Sequence, residues 1–256
     1  MTYPQLFEKL RQKPMNKAQF YTYVKNIGGL YTDIESELEI LKGAGAPLYR
    51  EERNDEVLFS LMTDKIAWQE GDLVFVDIET NGSKPQSSDI IEIGALKVRR
   101  GKIIETFESY IYAPFVPENI TELTGITFED IAQAPCRGEV LKDFREFLGN
   151  GVFVAHNVNF DYTFLDYHLR QCGLFGLLNP KICTIELAKK TIPSKRYALS
   201  YLNELLGIYT PVSHRAYADA LTSFRIFEIA SATFPPFMQS MQDLIDFSRG
   251  RLKYNY

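Results

Sequence analysis

The sequence predicts an α/β fold, with a mixed five-stranded sheet flanked by helices and a small helical domain in front of it. From residue 73 onward, short apolar runs typical of buried strands alternate with amphipathic helical patterns. Before residue 66, three helical patterns lead into a pair of strands, which indicates a separate small unit. We expect domains at 1–66 and 72–235, a junction at 67–71, and a C-terminal helix and tail at 236–256.

The composition is that of a globular protein with a sizeable core, since 45% of the 256 residues are hydrophobic and 24% are charged. A formal net charge of -5 gives no global basic field, so an anionic substrate needs local cations or metal ions. Three cysteines without a CxxC pair argue against a disulfide framework or a cysteine-rich zinc site. Without an apolar run near 20 residues, we expect no membrane span and a cytoplasmic protein.

The first 66 residues are expected to form a winged-helix-like domain of three helices and a hairpin. The first helix covers residues 3–12, the second follows a cap at Asn16 and stops at Gly28, and the third surrounds Ile34–Leu41. Two strands then flank a turn at Arg53–Asp55.

The third helix is acidic, and DNA phosphates would repel it. Its carboxylates are Asp33, Glu35, Glu37 and Glu39. We therefore favour protein contact or a structural role for this domain over DNA reading.

The main sheet begins with an antiparallel meander. Strands are predicted at Leu73–Glu79, Ile90–Val98 and residues 103–112, and short links connect them. Thr127 and Asp130 form a capping-box pattern for a short helix. The remaining strands are predicted at 151–157 and 180–185, and the remaining helices at 138–149, 160–173, 198–206, 216–234 and 236–247.

Two carboxylates lie inside the first strand of this sheet. Asp77 and Glu79 are two residues apart and share one face of the strand. Side by side near the interior they repel each other and resist desolvation. A divalent cation would turn that repulsion into binding, because Mg2+ and Mn2+ prefer oxygen ligands. The alternative is that both carboxylates point to solvent at the strand end.

Two further motifs carry candidate residues. In FVAHNVNFD, the predicted strand ends near His156 and Asn157, and Asp161 begins a helix, where a carboxylate can also serve as a simple cap. In SHRAYADA, His214 and Asp219 are five residues apart, which on one helix is about 140° of rotation. Both can face one site only if His214 lies in the loop before the helix. The alternative is a surface histidine beside an ordinary first-turn aspartate.

Together the three motifs resemble the DEDDh family of 3'-to-5' exonucleases, which have a ribonuclease H-like fold. The order is Asp-x-Glu on a first strand, His-Asn-x3-Asp after a later strand, and His-x4-Asp opening a late helix. Residues 123–131 (LTGITFEDI) match a further family segment. The resemblance covers about residues 71–230 and is greatest to the DnaQ-like proofreading exonucleases, the epsilon type of bacterial replicative polymerases.

The resemblance implies a site with two divalent cations, Mg2+ or Mn2+, about 4 Å apart. Asp77, Glu79 and Asp219 would hold one cation, and Asp77 would bridge to a second that Asp161 reaches. His214 would take the proton of the attacking water, since the ordinary pKa of a histidine, near 6.5, suits a base at neutral pH.

The same resemblance suggests the substrate and the partners. The candidates for contact with the terminal nucleotide of a single-stranded DNA 3' end are Thr80, Leu123, Ile126, His156 and Asn157, with local packing as the alternative. The basic run at residues 189–196 (KKTIPSKR) is expected in a loop that is either solvated or in contact with phosphates.

The expected partner is a DNA polymerase subunit. Residues 242–247 (QDLIDF) distantly resemble a sliding-clamp-binding peptide, although we favour an ordinary helix packing face.

Proofreading on DNA is thus the leading function. A DEDDh enzyme that trims RNA or short oligonucleotides is the enzymatic alternative, because no residue identified here clearly senses a 2'-hydroxyl. A non-catalytic scaffold associated with a polymerase is the second alternative, and the complete set of carboxylates argues against it.

Overall fold

Two sheets organise the chain in the computed structural model, which describes residues 1–27, 34–53, 56–210 and 214–252. The smaller sheet lies in the N-terminal unit and has the strand order β1-β3-β2, all antiparallel. The elements of this unit are α1 (Tyr3–Gln12), β1 (Met15–Asn16), α2 (Lys17–Ile27), α3 (Ile34–Gly43), β2 (Leu48–Arg53) and β3 (Glu56–Leu61).

The N-terminal unit contains the expected helices and the expected strand pair. Asn16 caps α2, since its side-chain oxygen accepts a hydrogen bond from the Gln19 backbone N–H at 3.0 Å. The two-residue strand β1 was not predicted, because so short a segment has no periodicity to detect. The predicted stop at Gly28 and two residues of the predicted turn, Asn54 and Asp55, lie outside the described residues. The winged-helix assignment stays a prediction.

The larger sheet has five strands in the order β6-β5-β4-β7-β8. β4, β5 and β6 form the predicted antiparallel meander, and β4, β7 and β8 run parallel. The predicted mixed sheet is thereby confirmed. Its strands are β4 (Leu73–Thr80), β5 (Ile90–Arg99), β6 (Lys102–Tyr110), β7 (Val152–Ala155) and β8 (Lys181–Cys183).

Helices cover both faces of the larger sheet. The predicted capping box at Thr127 is present, because its side chain and that of Asp130 bond each other's backbone N–H groups. The helices are α4 (Glu118–Thr124), α5 (Phe128–Ile131), α6 (Arg137–Leu148), α7 (Asn159–Gln171), α8 (Thr184–Thr191), α9 (Leu199–Leu205), α10 (Ala216–Ser231) and α11 (Met241–Ser248).

Two of the sequence predictions for this region are wrong in detail. Strand β8 ends at Cys183 and α8 follows at once, so Lys189 and Lys190 lie in the last turn of a helix and not in a loop. The last helix begins at Met241 and not at Pro236. Ser240 and Asp243 form a capping box that fixes this start, and a proline disfavours helical geometry in the residue before it.

The alternation of side chains along β4 separates two cores. Val74, Val76 and Ile78 are buried against α6 and α7 on one face of the sheet. Leu73 and Phe75 are buried against α10 and α11 on the other face. Because side chains at i and i+2 share a face, the next two positions on the α10 side are Asp77 and Glu79.

The N-terminal unit and α11 both pack on the larger sheet's domain. Phe175 and Leu178 belong to the same buried cluster as the N-terminal helices, and the Leu178 N–H donates to the Ala44 carbonyl at 2.8 Å. Trp68, in the predicted junction, packs edge-on against Phe227 and Phe234. Within the described ranges, no helix is both long and apolar enough to cross a membrane.

Candidate active site

The C-terminal half of β4 supplies the first two carboxylates of the site. Asp77 and Glu79 are half-buried and face the first turns of α10. Upstream on the same face, Leu73 and Phe75 are almost fully buried, so the carboxylates begin where the apolar core ends. As the sequence led us to expect, the Asp77 and Glu79 carboxylates repel each other, and they do so at the edge of a low-dielectric region.

Asp161 joins them from α7. β4 pairs with β7 only as far as Phe75, and β4 continues beyond the end of β7. In this gap the Asp161 Oδ1 accepts the Ile78 backbone N–H at 3.2 Å, and the residue is only 3% exposed. This hydrogen bond to β4 therefore fixes Asp161 beside the strand that carries Asp77, so Asp161 is not only a residue in the first turn of its own helix.

His214 and Asp219 approach from the start of α10. The helix begins at Ala216, so His214 lies in the loop before it, as the sequence spacing required. The His214 backbone N–H donates to Asp219 Oδ2 at 3.1 Å, and φ of His214 is 58°. Ligand atoms of Glu79, His214 and Asp219 lie within 4.8 Å of one another. Residues 211–213, just upstream, lie outside the described residues.

The four carboxyl groups are poorly stabilised as anions. Burial, followed by the charges of Asp161 and Glu79, raises the pKa of Asp77 well above its ordinary value. Burial, followed by the charge of Asp219, raises the pKa of Glu79 to about 8. Burial raises the pKa of Asp161 to about 8, against the opposing effect of its backbone hydrogen bonds, and also raises the pKa of Asp219.

This donor set fits a hard divalent cation. It offers carboxylate oxygens, which Mg2+ and Mn2+ prefer, and a histidine ring at the rim. A bound cation would remove both causes of the raised pKa values, since it neutralises the mutual repulsion and replaces the lost solvation. The residues present therefore fit the metal dependence that the sequence predicts.

Sequence reasoning missed a buried ion pair beside the site. Glu92 on β5 lies directly across from Glu79 and is 1% exposed. Its carboxylate accepts from Arg215 Nη2 at 2.7 Å and from the Ala216 backbone N–H at 3.0 Å. Arg215 Nη2 also donates to the Tyr110 hydroxyl at 2.8 Å. The pair thus fixes the first residues of α10 against the sheet. The one sequence signal for it was the glutamate at position 92, inside an otherwise apolar strand.

The predicted substrate residues differ in accessibility. Leu123 is 51% exposed and Asn157 is exposed, whereas Ile126 is 1% exposed within an apolar cluster. Thr80 is 8% exposed, and its hydroxyl donates to the Gly82 carbonyl at 2.7 Å. These five contacts stay predictions, with Leu123 and Asn157 free to meet a ligand.

The predicted fifth contact, His156, has both ring nitrogens engaged. Nε2 lies 2.8 Å from the Tyr197 carbonyl, so it is the donor, and Nδ1 lies 2.9 Å from the Thr184 hydroxyl. Burial lowers the pKa of His156 to about 4, so the ring is neutral. His156 thereby links the end of β7 to the start of α8 and to the segment before α9.

Clustered carboxylates beside a histidine at the end of a mixed sheet suit a metal-dependent hydrolase of phosphodiesters. Residues 74–227 match the family model described as Exonuclease, RNase_T. The chain belongs to this exonuclease family and is a 3'-to-5' exonuclease, as the three motifs predicted.

Similar proteins include a subunit of bacterial DNA polymerase III and the PolC-type forms of that polymerase. The chain is 36% identical to DNA polymerase III subunit epsilon of Aquifex aeolicus over 160 residues, 62% of this chain and 79% of that protein. It is 33% identical over 198 residues to the PolC-type DNA polymerase III of Thermotoga petrophila, covering 77% of this chain and 14% of that protein. It is 39% identical over 161 residues to the PolC-type protein of Caldanaerobacter subterraneus, covering 62% of this chain and 11% of that protein. The chain thus spans only a small part of the PolC-type proteins.

Solved structures support the fold. An Escherichia coli exonuclease I–single-stranded DNA complex matches 69% of this chain and 43% of its own, with a TM-score of 0.60 and 15% identity. Exonuclease X bound to 5'-overhanging duplex DNA matches 69% of this chain and 99% of its own, with a TM-score of 0.52 and 21% identity. At these identities the likeness shows the α/β architecture alone.

Proposed function

We propose that this protein removes 5'-mononucleotides from DNA 3' ends with two divalent cations, Mg2+ or Mn2+, as the proofreading exonuclease of a replicative DNA polymerase. The observation that carries the proposal is the convergence of Glu79, His214 and Asp219, which lie up to 140 residues apart in sequence, onto one cluster of ligand atoms. The similarity to a DNA polymerase III subunit supports the choice of DNA and of a polymerase partner.

The residues have distinct roles in this proposal. Asp77, Glu79 and Asp219 would hold one cation, and Asp77 and Asp161 would hold the other. When bound, the cations supply an activated water and offset the charge on the leaving 3'-oxygen. His214, exposed at the rim, takes the proton of the attacking water, and a base in that position contributes about 10²- to 10⁴-fold.

The terminal nucleotide is held beside this cluster. Leu123 is exposed and apolar, so it is suited to pack against the terminal base, and Asn157 offers an exposed amide at the end of β7. Thr80 and His156 contribute by shaping the backbone on either side. Ile126, which is buried in an apolar cluster, contributes by fixing the loop that follows α4.

The polymerase is the proposed partner, and a sliding clamp is disfavoured. Leu244, Ile245 and Phe247 of the clamp-like segment are each no more than 5% exposed, because α11 packs into the core of the larger sheet. A clamp could reach them only if α11 left that core. Work on replicating DNA would place the protein in the cytoplasm.

A product assay tests the proposal. End-labelled single-stranded DNA, mismatched duplex DNA and RNA of one sequence are incubated with Mg2+, Mn2+ or EDTA. We expect metal-dependent release of 5'-mononucleotides from DNA 3' ends, and no release in EDTA. Faster cleavage of RNA would favour the oligonucleotide-trimming alternative. Intact substrates under all conditions would favour the scaffold alternative.

A further inference from the structure

The segment between α8 and α9 is fixed to the rim of the active site by a half-buried histidine. His156, the first residue after β7, holds the Tyr197 carbonyl through Nε2 and the Thr184 hydroxyl through Nδ1. Tyr197 also donates its hydroxyl to the Ile192 carbonyl at 3.0 Å, which closes the segment on itself. The loop therefore has a defined position despite its exposed surface.

The last residue of this loop and the start of α9 share a cavity with the proposed catalytic residues. Ala198, Leu199 and Ser200 line one side of a cavity of ≈ 210 Å³, and His214 and Asp219 line another. A strand whose 3' end reaches the carboxylates is therefore bordered by this loop on its way in.

The loop carries two exposed cations immediately before the cavity. Lys195 and Arg196 are exposed, and neither has a carboxylate within 4.0 Å in the part of the chain that the structure describes. The other cations of the same basic run are engaged. Lys189 pairs with Glu186 at 2.8 Å, and Lys190 donates to the Ser248 carbonyl at 2.9 Å. The first two cations of the run are therefore engaged within the protein, whereas Lys195 and Arg196 are available to bind an anion.

We propose that Lys195 and Arg196 bind the backbone phosphates of the DNA strand just upstream of the scissile bond, with His156 as the residue that positions their loop. This inference rests on the proposed function. Arg196 is two residues from Ala198, so its Cα lies within about 7 Å of the cavity wall, and both side chains are long enough to reach a strand there. The protein is acidic overall and its active site is more so, so a polyanion needs local cations where it approaches.

The test is the salt dependence of exonuclease activity in the double variant Lys195→Gln/Arg196→Gln. Each phosphate contact to a single strand contributes about 0.7 to the slope of log affinity against log salt. On a single-stranded 20-mer we expect kcat/KM to fall roughly tenfold at low salt, mainly through KM, and the slope to become shallower by about 1.4. The matched control is Lys189→Gln, whose cation is already paired, and it should keep the wild-type slope.

Two results would overturn the inference. One is a double variant that keeps the wild-type slope, and the other is a Lys189→Gln variant that loses as much as the double variant. Thymidine 5'-monophosphate p-nitrophenyl ester, which has no upstream phosphate, separates this failure from a failure of the proposed function. Wild-type protein that cannot hydrolyse the ester would count against the proposed function. If the double variant loses as much activity on the ester as on the 20-mer, the result would contradict the phosphate-binding role of the loop and would leave the proposed function standing.

Discussion

The proposed catalytic carboxyl groups lower the stability of the metal-free protein, because they are held close together and partly buried. Asp77, Glu79 and Asp161 all have raised pKa values, so in the metal-free protein they resist ionisation. Between about pH 4, where such groups ionise in an unfolded chain, and about pH 8, the folded state holds more protons than the unfolded state. The stability of the metal-free protein should therefore fall as pH rises through this window.

Asp77→Asn tests this opposition. The amide keeps the shape of the carboxyl group but removes its charge, so we expect the metal-free variant to melt a few °C higher than wild type at pH 8. The gain should disappear near pH 4. Activity should fall by at least about 10³-fold, because Asp77 is the proposed ligand of both cations. Thermal melts in EDTA from pH 4 to 9, together with a cleavage assay, give both numbers. Wild-type cleavage by the variant would contradict the assignment.

His214→Ala separates proton transfer from metal binding. The ring lies beside Glu79 and Asp219 but is exposed, which suits a base that must meet water. We expect kcat to fall about 10²- to 10⁴-fold while Mn2+ affinity changes little. Single-turnover cleavage and Mn2+ titration followed by electron paramagnetic resonance measure the two. A large loss of Mn2+ affinity would make His214 a metal ligand and not the base.

At the scale of elements, the close contact between β5 and α10 fixes the third motif against the first. A Cβ on Gly94 would lie 2.0 Å from the Tyr217 backbone nitrogen, so only glycine permits this approach. Gly94→Ala should displace the start of α10, and we expect lower stability and at least tenfold lower kcat, measured by urea unfolding and cleavage. The matched control is Gly138→Ala in α6, where the new Cβ meets nothing closer than 4.0 Å. Its stability should stay equal or rise slightly.

The Glu92–Arg215 pair is a second element-scale device, and a double-mutant cycle tests it. Arg215→Met should lower the free energy of unfolding by about 1–3 kcal/mol, because it leaves the buried Glu92 carboxylate without its cation. Glu92→Gln should lower it by less, because the Arg215 side chain is 36% exposed and can be solvated. The double variant should recover part of that loss. Its kcat should stay low, because α10 is no longer tied to β5. Arg99→Met, from an exposed pair with Asp72, is the control and should be nearly neutral. Recovery of kcat together with stability would reduce the pair to a structural role.

The elements that the sequence predicted well have strong periodicity or clear caps. The stripe of Val140, Leu141 and Phe144 placed α6, and the five-residue spacing of His214 and Asp219 placed the start of α10. The helix α8 was missed because it follows β8 without an intervening turn residue. At the site, linear motifs pointed to Asp77, Glu79, Asp161 and Asp219. The Glu92–Arg215 pair joins residues 123 positions apart, and its one local signal, a glutamate inside an apolar strand, does not name the partner.

At the scale of the whole molecule, the N-terminal unit packs away from the catalytic cluster. It contacts α6, where Arg145 Nε donates to the Gly43 carbonyl at 2.8 Å. It also contacts the segment before β8, where Leu178 belongs to the N-terminal cluster. The predicted domain boundaries stay predictions. The burial of Leu244 and Ile245 favours joining α11 to the exonuclease domain.

Deletion of residues 1–66 tests this separation. We expect the truncated protein to cleave short oligonucleotides with kcat/KM within about threefold of wild type, since no catalytic candidate is removed. Its melting temperature should fall, because Phe175 and Leu178 lose their cover. Replacing both with serine in the truncated protein serves as a solubility control. Loss of cleavage in a truncated protein that still folds would mean that the N-terminal unit shapes the site.

The most direct test of the account is anomalous diffraction from crystals soaked in Mn2+ together with a 5'-mononucleotide. We expect two Mn2+ peaks about 4 Å apart, both in contact with Asp77, with Glu79 and Asp219 on one and Asp161 towards the other. A site without Mn2+ peaks, its carboxylates turned towards solvent, would contradict it.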